Sequence, residues 1–254
     1  MAFAKQIPAT IWHGDGREKA LQTHILALPH LKNKATAILA EIDTWATANN
    51  HCMMTIGPDR SNVITEIVRS TRPRNMAEFG GYVGYSAILF GDEVRKAGGE
   101  RYVSFEADIE YASIARSLVQ FAGLGEFVEI RVGSCSDTLE EFVMEGTRDG
   151  EEVDVSFDVL FVDHAEELYL SDLRICERLG LVRRGSVVVA DNVGGEKARA
   201  YVEWVEERNK YETRRIPCVL PNGEEDVILV STMMLSVTGY GLGLGYRQCP
   251  QPKV

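Results

Sequence analysis

The sequence predicts an α/β fold built on a doubly wound, mostly parallel sheet of seven strands with the last strand antiparallel. Two observations carry this. From about Arg74 onward, short apolar runs alternate with longer amphipathic stretches, and parallel strands are joined only through crossovers of that kind. The last two apolar runs are instead separated by Pro221-Asn222-Gly223, a hairpin signal that reverses one strand at the end of the sheet. A chain of 254 residues can bury one sizeable core, and the unbroken alternation favours a single domain over residues 1–254.

Three helices precede the sheet, over about residues 14–72. Leu21, Ile25 and Leu28 recur at helical intervals, as do Ala37, Ile38, Glu41, Ile42 and Trp45, so each set lines one helix face. A third helix is expected from Ser61 to Arg72, opened by a Ser/Asn cap signal and closed before Pro73, whose ring disfavours helix in the residue before it. The core, about 73–235, then runs through five strand-helix pairs. These are NMAEF with GYSAILFGDEVRKA, RYVSFE with IEYASIARSLVQFAG, FVEIRV with SDTLEEFVMEG, FDVLFVD with ELYLSDLRICERLG, and SVVVAD with GEKARAYVEWVEERNK. TRRIPCVL and DVILVSTMML complete the seven strands. The remainder, about 236–254, has many glycines and no periodicity, which suits a loose tail. Acidic runs at Glu140-Glu141 and at Glu151, Glu152 and Asp154 are expected to be solvated surface.

Lys and Arg number 27 against 38 Asp and Glu, a formal charge of −11. That balance argues against nucleic acid or an anionic membrane surface as a partner. The N-terminus has no signal-peptide pattern and no apolar run approaches membrane-spanning length, so a cytosolic protein acting on a small molecule is expected. The five cysteines are scattered, with no C-x-x-C pair, and reduced thiols are the expectation. The sequence does not indicate an oligomeric state.

The stretch Glu78-Phe79-Gly80-Gly81-Tyr82-Val83-Gly84-Tyr85-Ser86 follows a strand and opens a helix. It places a tight turn and free helix N–H groups at the carboxyl edge of the sheet, where ligands bind. The alternative is a tight turn without a ligand. Glu106 ends the next strand about twenty residues on, where a carboxylate can accept both hydroxyls of a ribose. The turn has no basic residue near it until Arg95, so a ribose-bearing ligand without a pyrophosphate fits better than a dinucleotide. S-adenosylmethionine is such a ligand.

Asp163-His164 and Asp191-Asn192 end the fourth and fifth strands. Two Asp and one Asn offer hard oxygen donors suited to Mg²⁺, the alternative being that they cap the helices that follow. His164 is given a supporting role near the cofactor.

With these motifs in order, the chain resembles the catechol O-methyltransferase family. The likeness rests on GDGREKALQTHIL and AEIDTWA near the start, EFGGYVGYSA at the turn, FEAD at the ribose acid, FAGL, FVDHAEELYLSD and GLVRRGSVVVADNV. It spans roughly Gly14 to Met234. The resemblance implies a Rossmann-like class I methyltransferase fold with S-adenosylmethionine and Mg²⁺ as cofactors. It implies that Ile56, Glu78, Gly80, Tyr85, Ser86, Glu106, Cys135, Asp163 and His164 line the cofactor site, with Met54 near the reacting methyl. It assigns the metal to Asp163, Asp191 and Asn192, and leaves open whether Tyr82 and Tyr85 touch the methionine part or pack beneath the turn.

The chain departs from the family at the acceptor pocket. Where the family has Asp-His-Trp-Lys, this sequence reads Asp163-His164-Ala165-Glu166, so a pocket wall and the family's general base are both replaced. A second pocket Trp corresponds to Cys52, a Pro is replaced near Glu196, and the acid that grips the second catechol hydroxyl has only the offset Glu224 and Glu225 nearby. Glu166 and Asn192 are the candidate catalytic residues. Glu166 could serve as a base, a metal ligand or a dock for a cationic acceptor, and Lys197 is a further candidate base. An active enzyme on an altered catechol is favoured over a protein that binds the cofactor without methylating catechols, and over one acting on an amine or carbon.

Overall fold

The computed structural model describes residues 15–49, 51, 53–148, 151–152, 154–207, 209–219 and 225–234. Helices α1 (Arg17–Leu26), α2 (Ala35–Ala48) and α3 (Pro58–Thr71) come first, and Leu21, Ile25, Ile38, Ile42 and Trp45 all face the core. Helix α3 starts three residues before the Ser61 cap signal. Pro58 takes the first turn behind Gly57, a position where its fixed φ is already helical and its missing N–H costs nothing. Ser61 therefore lies inside the helix, with its hydroxyl donating to the Pro58 carbonyl at 3.0 Å.

Strands β1 (Asn75–Phe79), β2 (Arg101–Glu106), β3 (Val128–Val132), β4 (Val159–Val162), β5 (Val187–Ala190), β6 (Tyr211–Val219) and β7 (Glu225–Met233) form one sheet in the order 3-2-1-4-5-7-6. All neighbours are parallel except β7, which runs antiparallel to β5 and β6. The seven strands and the reversed last one match the sequence expectation. The Pro-Asn-Gly turn itself lies outside the described residues, as do Cys52, Glu224 and the segment 235–254. A two-stranded ribbon, Thr147–Arg148 with Glu151–Glu152, stands apart from this sheet.

Helices α4 (Tyr85–Lys96), α5 (Ile109–Phe121), α6 (Cys135–Glu145), α7 (Tyr169–Leu179) and α8 (Arg199–Glu207) supply the crossovers. Side chains alternate strictly along each strand. Val159 and Phe161 of β4 join the core cluster under α1 to α5, while Leu160 and Val162 join the cluster holding residues of α6, α7 and α8. Burial on both faces is why β4 and β5 are apolar throughout rather than at every second residue. The strand order reverses between β1 and β4, and in such sheets the crevice outside the carboxyl ends at that point is where ligands bind. No described helix is long and apolar enough to cross a membrane.

Candidate active site

The glycine turn closes over the end of β4. Gly80 has φ +93°, and a Cβ there would lie 2.4 Å from the Asp163 carbonyl oxygen, so only glycine permits this approach. The Gly80 N–H donates to the Phe105 carbonyl and the Asp163 N–H to the Phe79 carbonyl, each at 2.9 Å. These bonds set the ends of β1, β2 and β4 side by side. Gly84, also with positive φ, precedes the first turn of α4, in which Ser86 is buried.

Glu106 accepts the Tyr82 N–H at 2.7 Å on one oxygen and the Asp108 N–H at 2.8 Å on the other. Burial nevertheless lifts its carboxyl above the ordinary range, against those backbone bonds. Each oxygen keeps a lone pair. Glu78 is fully buried; Tyr102 donates to its Oε2 at 2.8 Å, while Oε1 has no hydrogen-bond partner. Burial is the main cause that pushes its carboxyl up to about 7. The tyrosine hydroxyls turn to the N-terminal helices. Tyr82 donates to Glu18 of α1 at 2.6 Å and Tyr85 to Asp43 of α2 at 3.0 Å. Ile56 is buried ahead of α3, and Met54 beside it is exposed.

On the other side of the turn, His164 pairs through Nε2 with Asp172 of α7 at 2.8 Å and stacks on Tyr169 at 5.2 Å. Its Nδ1 is buried without a hydrogen-bond partner. Cys135, the first residue of α6, brings its sulfur within 4.8 Å of a His164 ring nitrogen and the Asp172 carboxylate. Burial first, and then the Asp172 charge, drives the Cys135 thiol far up, so it stands here as a neutral thiol rather than a nucleophile.

Next along the sheet, Asp191 is almost wholly buried and accepts from Arg60 Nη1 on Oδ2 at 2.6 Å; its Oδ1 has no partner. Asn192 has φ +54°, a left-handed conformation that Asn tolerates. Its Nδ2 donates to Asp226 of β7 at 2.7 Å, and Asp226 is itself held by the N–H groups of Gly194 and Val227 at 2.9 and 2.8 Å. That bond leaves the Asn192 carbonyl oxygen as the group free to ligate. Burial lifts the Asp163 carboxyl well above its ordinary value, the Asp191 charge adds to this, and Arg60 opposes it. Asp191 is pushed up to about 6, by burial against Arg60. Neighbouring carboxylates that resist ionisation, an orphaned buried oxygen and an oriented amide oxygen are what a hard divalent cation would satisfy.

Arg60 and Asp226 were not among the sequence candidates. Arg60 lies 131 residues from Asp191, and a single Arg in a helix start carries no sign of a distant partner. Asp226 sits in a strand run, DVILV, where it looks like a strand edge. Glu166 is half-buried and opens a short 3₁₀ turn, Glu166–Leu168. Burial raises its carboxyl, while the charge of the exposed Lys197 pulls the other way. Ala165 is exposed.

Residues 31–213 match a protein family described as O-methyltransferase. A probable O-methyltransferase of Mycobacterium tuberculosis is 33% identical over 207 residues, 79% of this chain and 84% of that protein. The catechol O-methyltransferase of Bos taurus is 28% identical over 199 residues, 78% of this chain and 70% of that protein. Among solved structures, the O-methyltransferase from Bacillus cereus in complex with SAH has a TM-score of 0.65 at 22% identity, covering 85% of this chain and 99% of that one. A Streptomyces achromogenes O-methyltransferase of tomaymycin synthesis, in complex with SAM, has a TM-score of 0.64 at 22% identity over 88% and 100% of the chains. The fold with its reversed last strand, the crevice at the β1–β4 switch and the match over most of the chain agree: this protein belongs to the O-methyltransferase family.

Proposed function

We propose that the chain transfers a methyl group from S-adenosylmethionine to a hydroxyl of a catechol or related metal-chelating compound, with Mg²⁺ held by Asp163, Asp191 and Asn192. The observation that carries this reading is the meeting of two sites in one crevice. Gly80 lies against the Asp163 carbonyl, so a cofactor seated on the glycine turn and an acceptor at the carboxylates would be neighbours.

Glu106 would bind the ribose, since two backbone N–H bonds fix its carboxylate and leave a lone pair on each oxygen. The orphan Oε1 of Glu78 suits the ammonium of the methionine part. His164, held by Asp172 and Tyr169, and Cys135 would line the adenosine side, with Ser86, Tyr85, Ile56 and Met54 around the remainder. Methyl transfer from a sulfonium is an in-line displacement, so the chain's main task is to hold donor and acceptor in near-attack geometry. When bound, the divalent ion would supply acidification of the acceptor hydroxyl. That lessens the need for a protein base, which the replacement of the family's Lys by Glu166 has removed.

Glu166 is the dock for a cationic group on the acceptor. It is half-buried beside Asp226, with Lys197 as its nearby counter-charge, and Ala165 leaves the adjoining wall open. The pocket then favours bulkier or amine-bearing acceptors over small anionic catechol acids. The deciding experiment is a screen of catechols, phenols and amines with labelled S-adenosylmethionine, with Mg²⁺ and with a chelator. Methylation of catechols that stops with chelator and returns with Mg²⁺ is expected. Turnover indifferent to both would remove the metal from the reaction, and a strong preference for dihydroxybenzoate would overturn the role given to Glu166.

A further inference from the structure

The buried cation of this crevice is Arg60, and its placement is specific. Pro58 starts α3 early enough to put Arg60 in the first turn, from where its guanidinium reaches Asp191 Oδ2 at 2.6 Å. Both side chains are buried, 9% and 1% exposed. Arg60 thus engages one oxygen of Asp191 and leaves the other, Oδ1, buried and without a partner. Its charge also acts on Asp163 at the end of the neighbouring strand. One fixed positive charge therefore serves two carboxylates. Arginine cannot give up that charge, and its planar fork holds a carboxylate oxygen in a set direction.

We propose that Arg60 is a resident cation of the carboxylate pair. It fixes Asp191 by Oδ2 so that Oδ1 is presented to a divalent ion, and by its charge it weakens that ion's binding. The inference rests on the proposed assignment of the metal to Asp163, Asp191 and Asn192. A cation docking on Oδ1 would share one carboxylate with the guanidinium, and two like charges that close, in a site shielded from water, repel strongly. The positive charge is thus a gain for the carboxylate pair standing alone and a cost once a second cation arrives. The consequence is a site that takes its ion reversibly rather than one that traps it.

The test is direct Mn²⁺ binding to the full-length protein by electron paramagnetic resonance, with Mg²⁺ read by competition. Arg60→Gln removes the charge and keeps an N–H donor; Arg60→Lys keeps the charge and loses the fork. Mn²⁺ affinity should rise about tenfold or more in Arg60→Gln and stay within about threefold of the native protein in Arg60→Lys. Thermal unfolding gives a second readout: without divalent ion Arg60→Gln should melt lower than the native protein, and Mn²⁺ should raise its midpoint by more. Should Arg60→Gln fail to fold, rescue of its folding by Mn²⁺ but not by monovalent salt is the expected result, and no rescue overturns the proposal. Asp163→Asn separates the two readings. If it abolishes Mn²⁺ binding while Arg60→Gln leaves affinity unchanged or weaker, the role of Arg60 is overturned and the metal assignment stands. If it leaves native Mn²⁺ binding unchanged, the metal assignment falls and this inference with it.

Discussion

Single side chains in this crevice are tuned by burial more than by charge partners. Glu78 is the clearest case, with no exposure and a carboxyl lifted from 4.5 to about 7. Between those values the native state holds a proton that the unfolded chain has released, so stability falls as pH rises through that window and is fullest below it. The whole shift corresponds to about 3 kcal/mol. Urea midpoints taken from pH 5 to 8 should therefore decline with pH in the native protein and be flatter in Glu78→Gln; equal slopes would refute the assignment. A cationic ligand beside Oε1 would expel the proton, so S-adenosylmethionine binding near pH 6.5 should release protons, measurable by calorimetry in buffers of different ionisation enthalpy. Glu166, only half-buried, is expected to act weakly. Glu166→Gln should raise KM for amine-bearing catechols by roughly fivefold, the effect of about 1 kcal/mol at a solvent-screened pair, with kcat and neutral acceptors little changed. A fall in kcat for both acceptor classes would instead mark Glu166 as a base.

At the scale of elements, the glycine turn and the strand ends depend on one another. Gly80→Ala would force a Cβ to 2.4 Å from the Asp163 carbonyl at a φ of +93°. Strain of this kind costs about 1–3 kcal/mol before any clash is relieved, so a drop of about 2 kcal/mol or more in unfolding free energy is expected, together with loss of cofactor affinity. A variant as stable as the native protein would show that the turn can move away from β4. Glu106→Ala tests the ribose assignment, and it also takes the acceptor from the Tyr82 N–H of the turn. Removing a charged acceptor of two hydroxyls should weaken S-adenosylmethionine binding by roughly 1–3 kcal/mol in calorimetry, and an unchanged affinity would sink the assignment. Helix α3 shows where local signals mislead. The Ser61 cap signal was outweighed by Pro58, and the three extra residues are those that bring Arg60 to Asp191.

Across the whole molecule, the site is assembled from segments that only the sheet order unites. Asp226 belongs to the reversed last strand, yet it holds Asn192 at the end of β5. Without it the amide of Asn192 would be free to rotate. Such supporting residues typically contribute 10–100-fold in metal affinity, so Asp226→Ala should weaken Mn²⁺ binding by about tenfold or more while leaving S-adenosylmethionine affinity nearly unchanged. Equal losses for both would mean that the hairpin, rather than the amide, had collapsed.

The division between sequence and tertiary structure follows the range of the interactions. Strand and helix alternation, the glycine turn, and the acids at Glu106, Asp163 and Asp191 were legible because each is a local pattern: a periodicity, a turn that needs glycine, or a residue at a strand end. Which groups the Tyr82 and Tyr85 hydroxyls bond, which group holds Asp191, and what orients Asn192 were decided by contacts spanning 64, 42, 131 and 34 residues. Such partners leave no periodic trace, because a buried polar group requires only that some complementary atom arrive within hydrogen-bond distance, and the packing of helices on the sheet determines which one does.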